Sequence, residues 1–303
     1  MRHRSGLVAL LLVASLAAGC RALDIGTGSQ QPFPSLDGSI PHAEGDAVLL
    51  RVEHRGGFVP YEYHLTRVAH FSLHGDGRVI VTGAVPAIYP GPILPPLLER
   101  RLTEDGVQRV LRAALDSGAL ERSATWDGAA QFVADAADTV FTLRAGGREV
   151  VVSAYALGIG GDLSQLTAEE RDAHEALSDL AAQLTDLESW VPASAWTDDG
   201  WSPYAPDAIR LVTRNADDDA ESQDGISPRI EPWPLPGDPA GFGEPTGVEG
   251  WRCGVVTGAN ADAWWDALAD ADQLTRWRGG GHRYAVMPRP LLPDEPADCE
   301  PAV

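Results

Sequence analysis

The chain of 303 residues carries 44 acidic against 23 basic residues, a formal charge of −21. Such an excess repels phosphate backbones and gains nothing electrostatically from an anionic lipid surface, so nucleic acid is not an expected partner. Every basic side chain apart from histidine is arginine. The absence of lysine excludes a P-loop phosphate lysine, a Schiff-base lysine and a Ser-x-x-Lys acylation pair.

Arg2 and Arg4 precede an apolar run from Gly6 to Ala18 that ends in small residues. This is the pattern of a secretory signal peptide, and it is shorter than the roughly 20 residues a membrane-crossing helix needs. Leu16-Ala17-Ala18-Gly19-Cys20 resembles the lipobox of bacterial lipoproteins. The resemblance implies that residues 1–19 are removed and that the Cys20 thiol carries a diacylglyceryl group, a palmitate-type anchor. An ordinary cleaved signal with an incidental cysteine is the alternative. With Cys20 set aside, Cys253 and Cys299 remain, an even number in an exported chain, and are expected as a disulfide. Closing a loop of about 45 residues would add about 4 kcal/mol on the chain-entropy model. Two separate buried thiols are the other reading.

Residues 24–46 mix Gly, Ser, Gln and Pro and read as part of a flexible tether over 20–46. Ordered structure is expected from Ala47, where AVLLRVEH suits a strand. AHFSLH (69–74) alternates, with Ala69, Phe71 and Leu73 on one face and His70, Ser72 and His74 on the other. Gly75-Asp76-Gly77 then turns the chain into RVIVTG as a hairpin partner. Five prolines in residues 86–96 demand an extended loop or edge, after which LLERRL (97–102) re-enters the sheet. Thr103 caps a helix with Val107, Val110, Leu111, Ala114 and Leu115 as one apolar stripe. A second hairpin, TVFTLR and REVVVSAYA around Ala145-Gly146-Gly147, precedes a helix opened by a Thr167–Glu170 capping box and lined by Leu177, Leu180, Leu184 and Leu187.

Residues 192–206 read as a linker or surface loop between a first module, 47–192, and a C-terminal unit, 207–303. That unit offers AIRLVT (208–213), a Pro-rich stretch (231–245) and CGVVTG (253–258). A helix capped by Asn260, bearing Trp264, Trp265, Leu268 and Leu274, precedes RYAVMP (283–288). The expected class is α+β: an antiparallel sheet with helices packed on one face, followed by a smaller disulfide-stapled ββαβ unit. HFSLHGDGRVIV, RRLTEDGVQRVL, SAYALG and the ending RPLLPDEPADC resemble exported lipoproteins of GC-rich Gram-positive bacteria. That resemblance spans most of the mature chain and implies compartment and anchor; it brings no catalytic motif.

Several constellations fail on spacing. His174-Glu175 begins a zincin helix motif, but Ser178 occupies the second histidine position, leaving an exposed helix histidine. His70 and His74 lie about 13 Å apart along a strand and cannot share an ion, so they read as surface residues. Asn215 to Ala220 lacks the glycine and distal glutamate of a calcium loop and reads as a solvated acidic loop. Gly158-Ile-Gly160-Gly161 lacks the third glycine of a dinucleotide loop and reads as a turn.

Eight of nine tryptophans lie from Trp190 onward, and Trp264, Trp265 and Trp277 form a possible binding face for sugars or a partner, with core packing as the other reading. Adjacent helical positions point about 100° apart, so Trp264 and Trp265 cannot both face one core centre. The leading expectation is non-catalytic. It is a lipid-anchored protein on the outer face of the cytoplasmic membrane, without metal or cofactor, that binds a partner protein or a cell-envelope component such as wall glycan. The alternative is an envelope hydrolase working through two carboxyls of raised pKa in a deep pocket.

Overall fold

The computed structural model describes residues 38–159, 163–220, 222 and 225–300. The expected leader, Cys20 and most of the tether lie outside them. The first sheet opens with β1 (Val48–Gly56); α1 (Tyr61–Thr66) interrupts its connection to β2 (Phe71–His74), and a glycine turn leads to β3 (Arg78–Thr82). Gly77 adopts φ +82° in that turn, and a Cβ there would collide with the Leu102 carbonyl, so glycine is required twice over. β4 (Leu97–Arg101), α2 (Glu104–Asp116), β5 (Ala124–Trp126), β6 (Ala137–Ala145), β7 (Arg148–Tyr155), α3 (Ala168–Thr185) and β8 (Ser202–Pro203) follow. The strand order is β5-β7-β6-β1-β2-β3-β4-β8, antiparallel except for β5 beside β7.

The second sheet takes β9 (Ala208–Asn215), β10 (Ile230–Pro232), β11 (Glu244–Pro245), β12 (Trp251–Thr257), β13 (Arg276–Gly279) and β14 (His282–Pro290), with α4 (Ala259–Leu268) between β12 and β13. Its order is β10-β13-β14-β9-β12-β11, antiparallel except for β10 beside β13. The α+β class therefore holds, with a richer C-terminal sheet than ββαβ. The Pro-rich stretch supplies β10 and β11, both at sheet edges, where proline's missing donor costs no ladder bond. α4 starts behind Gly258 rather than at an Asn260 cap, and Leu274 is buried in the turn after it.

α2 and α3 cover one face of the first sheet. Val107, Val110, Leu111, Leu177, Leu180 and Leu184 meet Leu50, Val52, Phe71 and Phe141 in the main core. Both expected caps form: Thr103 accepts from the Gly106 N–H at 3.3 Å, and Thr167 and Glu170 close a full capping box. On the opposite face Ala69 and Ile80 meet Tyr204 and Leu292. Leu65 of α1 joins Val212, Cys253 and Cys299, so α1 and the segment 291–299 form a layer between the sheets. α4 covers the far side of the second sheet, placing Ala261, Trp264 and Leu268 against Ile209, Leu211 and Trp277. All described residues belong to one compact unit of the chain.

The segment after β14 binds both sheets chemically. Cys299 is disulfide-bonded to Cys253 of β12, as expected. Glu295 accepts two bonds from Arg289, at 2.6 and 2.7 Å, and one from the Leu292 N–H. Burial alone would raise the Glu295 carboxyl; the bonds and charge of Arg289 outweigh it and hold the group below its usual range. Asp294 pairs with Arg51 of β1, and the Asp298 carbonyl accepts from Arg210 at 2.8 Å.

Two stretches read as loose are engaged with the body. Ile40 is buried, and its N–H and C=O both bond the Gln108 side chain, at 2.7 and 2.9 Å. Residues 192–206 run beside β4, where Ala195 accepts from the Thr103 N–H and Trp196 bridges to Leu102. Among the described residues no helix is long and apolar enough to cross a membrane.

Candidate functional site

Antiparallel pairing sorts the connections of the first sheet to two ends. β1 finishes where β2 begins, β3 finishes where β4 begins, and β6 begins where β7 finishes. The connections 57–70, 83–96, 127–136 and 156–166 therefore gather at one end. Nine of the ten exposed large apolar side chains among the described residues lie on them, including Phe58 (86% exposed), Tyr63, Ile88, Phe132 and Ile159; Ile226 is the tenth. The other end is built of tight turns that hold the incoming chain: the Gly146 N–H donates to the Pro41 carbonyl at 2.7 Å, and the Asp76 N–H to that of Gly45 at 2.8 Å.

Under the apolar end, between α3 and the strands, is a half-open cavity of about 350 Å³. Val52, Phe71, Val81, Leu157, Ala181 and Leu184 supply its apolar walls. His54 and His70 stand at the mouth, each with an exposed edge. His54 is two residues beyond Val52 on the strand face that covers the core, directly opposite Thr139, whose Oγ1 lies 3.2 Å from its Nδ1. His70 precedes β2, its N–H donating to the Val52 carbonyl at 2.9 Å, and its ring meets that of His54 edge-on with centroids 4.3 Å apart.

Desolvation from the cavity side, then the His70 ring and the Arg67 charge, lower His54 to about 4. Desolvation and Arg67 lower His70 as well. The lowered values favour the neutral form of both rings. Arg67 donates to the Gly56 carbonyl at 2.7 Å, and no carboxylate among the described residues pairs with it. The Thr139–His54 contact has the form of a hydroxyl beside a base, but an imidazole near 4 is too weak a base to activate a threonine at neutral pH. The arrangement fits holding an apolar group beside two imidazoles.

A larger depression, about 1040 Å³, lies between α2 and α3 and is flanked by Asp105, Asp116, Asp172, Glu175 and Asp179. It is an open charged groove and offers no desolvation with which to tune a catalytic acid. Glu99 is a carboxyl shifted upward, by desolvation first, and it borders neither space.

The sequence-expected residues fall elsewhere. Trp264 and Trp277 are fully buried, with ring centroids 5.3 Å apart, and Trp233 caps Trp264 at 4.9 Å. Trp265 is half-buried against the same cluster. These tryptophans build the second core and present no common outer face, because α4 turns Trp264 inward over β9 and β13. His74 and His174, expected at the surface, are buried. His74 donates from Nδ1 to the Asp46 carbonyl at 2.9 Å. In the acidic loop Asp219 is held by Arg214 and Arg276, and Asp217 by His282 and the Arg283 N–H, so arginines take the oxygens a cation would need. Gly160 and Gly161 lie outside the described residues, as does Cys20.

Among the described residues no three His, Cys, Asp or Glu side chains gather as a metal site. The His54–His70 pair escaped the sequence reading; its one signal was a histidine continuing the apolar face of β1. Comparison with protein families, with curated proteins and with solved structures finds no match for this chain.

Proposed function

We propose that this is a lipid-anchored extracytoplasmic binding protein, held through Cys20 at the outer face of the cytoplasmic membrane, whose apolar loop end engages a cell-envelope component or a partner protein. The observation that carries the reading is the segregation of exposed apolar side chains to that end. Scattered singly they would need no explanation, whereas gathered on the connections of one sheet end they mark a surface that meets something. The first described residues bond the opposite end of the sheet, through the Pro41 and Gly45 carbonyls. A disulfide suits an oxidising compartment. The carboxylate-hydrolase alternative finds no desolvated pair of carboxyls to build on among the described residues.

Two measurements test this. Growth of the host with labelled palmitate should label the wild-type chain and not Cys20→Ala; an unlabelled wild-type chain would overturn the anchor. Photo-crosslinkers at Tyr63 and at Ile88 should capture an envelope component, while one at Glu149, near the opposite end, should not. Equal capture from all three positions, or from none, would overturn the binding end.

A further inference from the structure

We infer that the apolar loop end inserts its tip into the interface of the bilayer that carries the anchor, meeting uncharged lipid rather than a protein. This rests on the binding reading above and names its partner. Two connections make the tip. Residues 57–61 (GFVPY) follow β1 and residues 83–91 (GAVPAIYPG) follow β3, two strands along the sheet, about 10 Å away. Neither stretch holds a charged side chain, in a chain where 22% of residues are charged. Residues 84–89 are exposed without a break, Val85 by 66% and Ile88 by 64%. The fold holds this loop out: Ile93 and Leu94 pack on the second core, and the Ile93 N–H donates to the Ala271 carbonyl at 3.2 Å.

Charge, side chains and backbone each fit lipid. A chain of net charge −21 is repelled by anionic headgroups, so only an uncharged part of it can enter a membrane surface. Phe58, Val85 and Ile88 are apolar throughout, whereas Tyr61 and Tyr89 join an apolar ring to a hydroxyl that stays at headgroup level. Pro60, Pro86 and Pro90 have no N–H to desolvate, and that of Ile88 is spent on the Pro86 carbonyl at 2.9 Å. Asp127 and Asp135 are exposed on the connection 127–136, which stays outside the lipid. Reach is sufficient. Cys20 precedes Gly38 by 18 positions, up to about 60 Å of extended chain, against about 30 Å for the nine residues of β1. An anchor within that reach keeps the tip at high effective concentration over the bilayer, so a shallow insertion suffices.

The test uses the full-length lipidated chain in phosphatidylcholine vesicles, with an environment-sensitive dye on Ile88→Cys. Cys253 and Cys299 are paired and Cys20 is acylated on this reading, so the dye has one thiol to take. Its emission should shift to the blue and be quenched by lipids bearing a nitroxide near the head of the acyl chain, and not by iodide. The same dye on Glu149→Cys should show the reverse. Phe58→Ser, at an exposed position, should cut the lipid quenching at Ile88 at least three-fold while far-UV circular dichroism stays native-like. Replacing part of the phosphatidylcholine with phosphatidylglycerol should weaken the quenching, and raised salt should restore it by screening the body. Iodide quenching as strong at Ile88 as at Glu149, lipid quenching unchanged by Phe58→Ser, or quenching strengthened by the anionic lipid would each overturn the inference. A protein captured from Tyr63 and Ile88 without lipid quenching would sink the bilayer contact alone. No capture from either position, of protein or lipid, would sink the binding end with it.

Discussion

His54, His70, His74 and His174 all have lowered pKa values, and desolvation is the leading cause in each. The unfolded chain binds protons on these rings from about pH 6.5 downward, while the folded chain resists until lower pH, near 4 for His54. Stability is therefore full above about pH 6.5 and falls as pH drops toward the lowered values. The urea midpoint should be lower at pH 5 than at pH 7.5, and His54→Gln should shrink that difference; a midpoint independent of pH over this interval would contradict the assignment.

At the same scale, Glu295 is what makes Arg289 tolerable in its buried place, since only 3% of Arg289 is exposed. Glu295→Ala should cost about 3–5 kcal/mol by urea unfolding, because it strands a buried guanidinium. Pairing Arg289→Met with Glu295→Leu should recover most of that loss, as apolar replacement of buried pairs often does.

Elements divide into those announced by local pattern and those shaped by what covers them. Thr103, the Thr167–Glu170 box and the leucine seam of α3 declare helices because caps and 3.6-residue periodicity are local chemistry. β2 misleads. Its alternation implies one wet face, yet Ser72 and His74 are fully buried, because the C-terminal layer covers the polar side of the strand as the helices cover the apolar side. α1, six residues long and without a side-chain cap, has no periodic signal to read.

The candidate site was still less legible. It depends on His54 of β1 meeting His70 across the single connection 57–70, a ring contact that no motif spacing announces. The tryptophans show the reverse case: composition suggests a sugar-binding face, and α4 turns the residues inward. Trp277→Ala should cost about 3–5 kcal/mol as a cavity in the second core. Trp265→Ala should cost less than half as much, read as the shift in urea midpoint.

Across the whole molecule, the last described residues tie the two sheets. Cys253 and Cys299 are separated by 46 positions, so replacing both with serine should remove about 4 kcal/mol, measured as unfolding with and without reductant. A variant as stable as the oxidised wild type would mean that the ionic ties suffice alone.

The pairing of Arg51 with Asp294 spans 243 positions, from the first strand to the closing segment. This has a consequence for timing. A chain made N-terminus first leaves Arg51 and Arg289 without Asp294 and Glu295 until the closing segment is made, although the Leu65 and Arg67 carbonyls already stand ready for Arg210 and Arg289. The ties of Arg51 and Arg289 to the closing segment are therefore contacts between the two extremes of the described chain, and they join its first strand to its last.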